Sequence, residues 1–388
     1  MTQPGNRRGG RAGLLALLTA GVALTLSLAA CSGSSTNTSD SASGSTATSG
    51  QSANLDAAKA AVTEAEKEPT TIGSAPFGKF SPKPGGSIYL ISCDLSIVGC
   101  SRVNDGLKAA SAALGYKYEV CNAGSTQTQL NGCFTNAVNA KPSVVVNDAA
   151  SQEQAGAGYA ALKKAGIKHV GMFTANPQSA SDAEVGLDTC TVQGKTLADA
   201  VVVGANGKPD TLFFTENSIG CDVRRTAAFK DEYAKACPGC PVKYVNFDLA
   251  SMQQTMPSQV QAALVQNPNA NWVVGVFDQP ASIAVTKVQQ AGLANKVKVA
   301  GMDGVPANLQ LIRKGQVQQY DIAVSQQEDA WAAADAAARL YSGTKVPFSV
   351  PVSVYLMSPN NIDSVPSDNV WPGSKNYEAQ FQQLWGKD

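Results

Sequence analysis

The sequence predicts an α/β protein built as two doubly wound parallel-sheet lobes joined by a multi-strand hinge. Short apolar runs alternate with Ala-rich amphipathic segments from Ser87 onward. Eight such strand-like runs are too many for one small sheet, and the alternation restarts near Asp210. Apolar strands separated by helices imply parallel sheets covered on both faces, because each crossover helix lies against the sheet it serves.

The first expected element belongs to neither lobe. Arg7, Arg8 and Arg11 precede an apolar run from Leu14 to Ala30 that ends in Leu28-Ala29-Ala30-Cys31. A basic start, an apolar stretch and small residues before a cysteine predict a signal peptide over 1–30, with Cys31 as the lipid-modified N-terminus. The alternative is an uncleaved anchor, since the run is about the minimum for a spanning helix. Two acyl chains suffice for stable attachment, so the expected location is the outer face of the cell membrane. Residues 31–54 are chiefly Ser, Thr, Gly and Ala and read as a lipidated flexible tether spanning roughly 25 Å. Leu55–Glu68 (LDAAKAAVTEAEKE) predicts a short helix stopped by Pro69, and a Pro/Gly-rich lead-in completes 55–84.

Strands are then expected at Ile88–Ser92, Tyr118–Cys121, Ser143–Asn147 and Lys168–Phe173. After the restart they are expected at Thr211–Thr215, Val242–Phe247, Trp272–Phe277 and Lys298–Met302. Helices are expected at Val103–Leu114, Gln154–Ala165, Val192–Val203, Arg224–Cys237, Ser258–Gln266 and Pro280–Ala291. A long helix, Glu328–Leu340, and a last strand, Ser349–Leu356, cross back between the lobes. This assigns 85–186 with 325–347 to the N-terminal lobe and 187–324 with 348–388 to the C-terminal lobe.

Composition excludes several classes. Lys and Arg total 30, as do Asp and Glu, so no strong field draws the chain to nucleic acid or anionic lipid. His169 is the single histidine; with no second His and no carboxylate cluster nearby, a His-based metal site or triad lacks support, and packing or a surface position is expected. Gly204–Gly207 lacks the Walker pattern and reads as a turn. No catalytic residue, metal or cofactor is expected. Nine cysteines less Cys31 leave eight, and an even number behind an export signal reads as disulfides in an oxidising space.

A succession of short motifs gives the globular part a resemblance. Asp105-Gly106 lies in the first helix, which closes in Leu114-Gly115-Tyr116. Val185-Gly186-Leu187-Asp188 is followed by Gly194, and Arg225-Thr226-Ala227-Ala228-Phe229 by Phe277-Asp278-Gln279-Pro280-Ala281 with Gly292. Val299-Ala300-Gly301-Met302-Asp303-Gly304 comes last, with Gly315 downstream. In this order and spacing, over about Ser87 to Tyr355, the chain resembles type 1 periplasmic binding proteins of the ribose/galactose kind. Ala228 stands where that pattern has Gly, and Phe277 where it has Asn.

The resemblance implies a solute-binding lipoprotein that works with an ABC importer. The expected partners are a small-molecule ligand, the transporter permease and the membrane through the lipid, with the protein itself a monomer. Repressors sharing this architecture carry an N-terminal helix-turn-helix; a signal peptide and tether stand here instead, so no nucleic acid is expected. Solute is expected between the lobes, at the carboxyl ends of the strands. Arg225 and Asp303 resemble the family's ligand-contacting residues, one offering fork-shaped donors and the other acceptors. The alternative is that they bond each other or structure the hinge. Asp94, Asp278 and Gln326 complete the expected polar set.

Departures from the family bear on the solute. No aromatic residue occurs in Ile97–Cys100, where ribose-type proteins stack on the sugar, and Phe173-Thr174 replaces an Asp-Arg pair. Phe173, Phe247 and Phe277 are the candidates for stacking. A modified, larger or partly apolar sugar-like solute is therefore expected rather than a plain pentose.

The resembling fold also narrows the cysteine pairings to four local bridges. These are Cys93 with Cys100, Cys121 with Cys133, Cys190 with Cys221, and Cys237 with Cys240. Cys237-Pro238-Gly239-Cys240 invites an oxidoreductase reading, but that chemistry needs the first thiol at a helix N-terminus, and here the motif follows a helix. A turn staple is expected. A ligand-sensing lipoprotein for a membrane receptor is the alternative to transport. A lipid-held binder also suits an envelope that would lose a free one, such as that of a Gram-positive bacterium.

Overall fold

The structure, a computed structural model, describes residues 45–388 apart from Ser125, Ser367, Asn369 and Asp388. The expected signal peptide, Cys31 and the first part of the tether lie outside the described residues. The chain runs α1 (Ser45–Ala65), β1 (Ser87–Ser92), α2 (Val98–Leu114), β2 (Lys117–Asn122), α3 (Gln127–Ala140), β3 (Val144–Asp148), α4 (Gln152–Lys164), β4 (Lys168–Met172) and β5 (Ala183–Val185). It continues through α5 (Leu187–Gly204), β6 (Thr211–Thr215), α6 (Gly220–Ala236), β7 (Val242–Asn246), α7 (Met252–Gln266), β8 (Trp272–Gly275), α8 (Asp278–Gln290), β9 (Lys298–Asp303), α9 (Pro306–Arg313) and β10 (Gln318–Val324). It ends with α10 (Gln326–Ser342), β11 (Ser349–Val350), β12 (Val354–Met357) and α11 (Tyr377–Leu384).

Two six-stranded sheets result, ordered β11-β5-β4-β3-β1-β2 and β12-β10-β9-β8-β6-β7. Every ladder is parallel except the antiparallel pairing of β12 with β10. Burial explains the sequence pattern. Central strands such as β3 and β6 are buried at every position, whereas the edge strands β2 and β7 are not. Leu90, Val146 and the inner face of α10 (Ala330 to Ala338) form one first-lobe core. Phe213, Phe229, Val273 and Val299 anchor the second-lobe core.

The ends of the chain depart from expectation. The segment expected as tether is helical from Ser45 onward. Ala58 and Val62 dock in the second-lobe core, and docking of one face sustains a helix that Ser- and Thr-rich sequence alone does not. The expected last strand is two short ones, β11 in the first sheet and β12 in the second. The segment after it divides likewise. Ile362 and Trp371 pack beside β12 and α9, whereas Phe381, Leu384 and Trp385 enter the first-lobe core. Trp385 stacks on Trp331 with ring centroids 5.4 Å apart.

Among the described residues the backbone thus passes between the lobes five times. Three passages are Gly186, Ser325 and the stretch from β11 to β12. A fourth runs from Glu66, which accepts from Ser358 Oγ at 2.5 Å, to Ile72, whose N–H donates to Gln380 Oε1 at 3.2 Å. The fifth joins β12 to α11. No helix among the described residues is long and apolar enough to cross a membrane.

Candidate functional site

Loops leaving the carboxyl ends of β1, β3 and β4 form one rim, and those leaving β6, β8 and β9 form another, as parallel sheets dictate. The rims touch where Thr174 and Ala175 lie against Gly220 at the start of α6.

Arg225 organises the second rim. Its Nε donates to Gln193 Oε1 at 3.0 Å, one terminal nitrogen to Asp222 Oδ1 at 3.1 Å and the Val276 carbonyl at 3.3 Å, and the other to Asp303 Oδ1 at 2.5 Å. All five donors of a guanidinium lie in one plane, so α5, α6 and the ends of β8 and β9 are brought to a common point. Burial works against the charge, and the Asp303 and Asp222 carboxylates more than offset it, leaving the Arg225 pKa raised. Burial pushes the pKa of Asp222 well above the ordinary carboxylate range, and that of Asp303 above it, against the pull of Arg225.

Asp303 has φ +114°, a region that costs a non-Gly residue energy and is held only where surroundings enforce it. The enforcement comes from behind. Asp278 Oδ2 accepts from Val305 N at 2.7 Å, and Asp321 Oδ1 accepts from Gly304 N at 3.0 Å. Burial and the neighbouring Asp321 charge push Asp278 well above its ordinary pKa, while burial pushes Asp321 up to about 7. Asp278 is thus committed to the loop that presents Asp303.

The first rim is shaped by a buried network. Glu184 is fully buried and accepts from Thr174 Oγ1 at 2.6 Å, from Asn176 Nδ2 at 3.2 Å and from Ser181 Oγ. Asn176 also donates to Tyr159 Oη at 2.8 Å. This fixes a loop in which Phe173 and Ala175 both have positive φ. The half-buried Phe173 ring lies against Gly186, where a Cβ would meet it at 2.6 Å, so it stands at the first crossing between lobes. Asp94 is partly exposed and accepts from Ser96 N at 3.0 Å, a bond that lowers its pKa. Phe247 and Phe277 meet edge to face at 6.0 Å, Phe247 buried and Phe277 half-buried.

At the second crossing Gln326 begins α10 half-buried. Glu328 accepts from Ser374 N at 2.6 Å and Ser353 Oγ at 2.9 Å, tying α10 to the third crossing and the tail. Asp329 is fully buried, and neither carboxylate oxygen has a hydrogen-bond partner among the described residues.

The structure therefore brings Arg225 to Asp303, as the alternative reading of the sequence had it, and Phe247 to Phe277. Among the described residues Asp94, Phe173 and Gln326 make no hydrogen bond or ring contact with either pair. Asp148, Asp222, Gln193, Glu184 and Asp329 were not anticipated. A charged residue inside an Ala-rich or Val-rich run, as in Val146-Asn147-Asp148 or Asp329-Ala330, is the signal that could have found two of them.

All four expected bridges are present: Cys93–Cys100, Cys121–Cys133, Cys190–Cys221 and Cys237–Cys240. The last follows the C-terminal end of α6 and precedes β7, where no helix N-terminus can stabilise a thiolate. His169 is buried in the first lobe and packs edge-on to Tyr159 at 4.7 Å.

Comparison with known proteins gives one family. A model of the periplasmic binding protein domain matches residues 88–345. No curated protein matches the sequence. Among solved structures, an ABC transporter solute-binding protein from Agrobacterium vitis with bound allitol superposes with TM-score 0.66 at 19% identity, covering 73% of this chain and 98% of that one. A 5-methylthioribose transporter solute-binding protein from Thermotoga lettingae gives 0.65 at 17% identity, covering 79% and 95%. One from Mycobacterium smegmatis with bound glycerol gives 0.65 at 19%, covering 75% and 100%. At such identities the likeness establishes the fold.

Proposed function

This chain belongs to the periplasmic binding protein family, and from that membership we propose that it is an extracytoplasmic solute-binding lipoprotein serving an ABC importer. A small solute is held between the two lobes and handed to the permease, without catalysis. The observation that carries this reading is the Arg225–Asp303 pair, set by a strained Asp303 at the carboxyl end of β9 on the second rim. A rim built this way presents fixed donors and acceptors, and preorganised groups bind a polyhydroxy solute without losing freedom on capture. Asp303 keeps side-chain exposure of 28%, so one carboxylate face remains for a hydroxyl while Arg225 holds the other.

The solute is sugar-like and modified or partly apolar. Phe247 with Phe277 supplies an aromatic edge, and the neighbours that bind allitol, 5-methylthioribose and glycerol show that this fold takes small polyhydroxy compounds, one of them carrying a thioether. Lipid on Cys31 keeps the binder beside its transporter.

Calorimetry of the folded protein against pentoses, hexoses, polyols, their amino-substituted forms and 5-alkylthio-pentoses is the test. Saturable binding to members of one class is expected, with Asp303→Asn weakening it at least tenfold. A folded protein that binds none of them overturns the reading.

A further inference from the structure

Resting on the solute-binding reading, the side chains beneath the first rim narrow the solute class. In the parallel register Ile91 lies opposite Asn147. The next residues, Ser92 and Asp148, therefore stand side by side at the carboxyl ends of β1 and β3. Strand side chains alternate between faces, so Ser92 and Asp148 share the face of Leu90 and Val146, the face on which α10 packs. Asp329 lies in the second turn of α10, about 200° around the helix from Trp331 at roughly 100° per residue. Trp331 packs toward α11 on Trp385, so Asp329 leaves α10 on a different side, on the helix that covers this face of the sheet.

Among the described residues none of the three groups has a hydrogen-bond donor of its own. The Ser92 hydroxyl and both Asp329 oxygens are buried and unpaired among the described residues. Asp148 is 5% exposed, and the atom it meets is Cys93 Sγ at 2.9 Å. That sulfur belongs to a disulfide and has no proton to give. Burial first, and then the neighbouring Glu328, Asp148 and Asp303 charges, push the Asp329 carboxyl well above the ordinary range. Arg225 is already held by Asp222 and Asp303. Buried carboxylates lacking donors are costly unless a positive charge or a proton meets them.

We propose that the solute carries a protonated amine, received by Asp329 and Asp148 with the Ser92 hydroxyl as a third acceptor. An ammonium offers three N–H donors and no acceptor, which matches three acceptors that have no donor. A neutral hydroxyl supplies one proton and leaves two of the three unmet.

The test uses matched pairs that differ in one group: glucosamine and glucose, galactosamine and galactose, and 1-amino-1-deoxysorbitol and sorbitol. Calorimetry at pH 7 is expected to give the amine of at least one pair an affinity 100-fold or more above its hydroxyl partner. Asp329→Asn should remove that preference, and Asp148→Asn, a second variant in case the first does not fold, should reduce it at least tenfold. Equal affinity within every pair that binds, or an amine preference untouched by both substitutions, overturns the proposal and leaves solute binding standing. No binding by any member of this series, while another compound of the sugar and polyol panel binds, overturns the proposal alone; no binding by any compound of either set overturns both.

Discussion

Gly220, on the second lobe, lies directly against Thr174 on the first: a Cβ at Gly220 would sit 2.7 Å from the Thr174 carbonyl oxygen and 2.8 Å from Ala175 Cβ. Real Cβ atoms do not approach so closely, and the obstruction is backbone. Gly220 opens α6 and does not have the positive φ that excludes side chains, so a side chain there is opposed by the other lobe. Gly220→Val should therefore fold normally and hold the rims apart. A Tm within a few degrees of wild type, a larger radius of gyration in solution and at least tenfold weaker affinity for the best-binding sugar are expected. Unchanged affinity would show that this contact is not needed for capture.

The Arg225 cluster gives a stability prediction. Arg225→Met leaves Asp222 and Asp303 without their cation and Gln193 without its donor. Breaking a buried pair by removing one partner costs about 3–5 kcal/mol, which urea denaturation would read as a large drop in midpoint. Removing the fully buried acid as well, in Arg225→Met/Asp222→Leu, should recover part of that loss. An Arg225→Met variant within 1 kcal/mol of wild type would mean the cluster is far better hydrated than its burial implies.

His169 predicts an acid sensitivity. The ring is buried, and burial lowers its pKa to about 4 against the pull of Asp182 and the Ala180 backbone. The unfolded value is about 6.5, so below that pH the unfolded chain takes the proton first. The group has no effect above about pH 6.5. Between there and pH 4 it removes up to about 1.4 kcal/mol per unit, about 3 kcal/mol in all, and then levels off. Asp148, Asp199 and Asp321, raised to about 7 by burial, act oppositely, because the folded state holds their protons as pH falls. The readout is therefore a difference: wild type minus His169→Phe, by urea denaturation from pH 7 to 4. A flat difference would show that folded His169 accepts the proton freely.

The alternating strands and helices were legible because each central strand is buried on both faces and its composition says so. The edges were not. β5 has three residues, and β10 carries Gln318, Gln319 and Asp321, so neither reads as an apolar run. Gln318 and Asp321 are buried because they bond each other at 2.9 Å, a relation that no spacing announces. The site was legible in part for the same reason. Arg225 and Asp303 sit in motifs, but Gln193 and Asp222 are recruited by the geometry of the guanidinium. Phe173 reads as a stacking aromatic, yet the positive φ of its loop, fixed by Glu184 some ten residues later, turns its ring to Gly186.

Cys190–Cys221 should matter more than Cys237–Cys240, for two reasons. Its sequence separation is 31 against 3, and in the chain-entropy account a loop of the first size restrains the unfolded state by about 4 kcal/mol, one of the second size by about 2. It also joins the first turns of α5 and α6. Cys190 lies one turn before Gln193 and Cys221 one turn before Arg225, so the bridge holds the acceptor and donor of the 3.0 Å hydrogen bond in line. The double variant Cys190→Ala/Cys221→Ala is expected to lose about 4 kcal/mol in urea and to bind solute more weakly, because α6 can then drift and take Arg225 with it. Cys237→Ala/Cys240→Ala, beyond the far end of α6, is expected to lose about half as much stability and leave affinity unchanged. Equal losses in both variants would mean that the bridges act on the unfolded chain in a way loop length does not govern. An undiminished affinity in the first variant would mean that packing between α5 and α6 aligns Arg225 without the bridge.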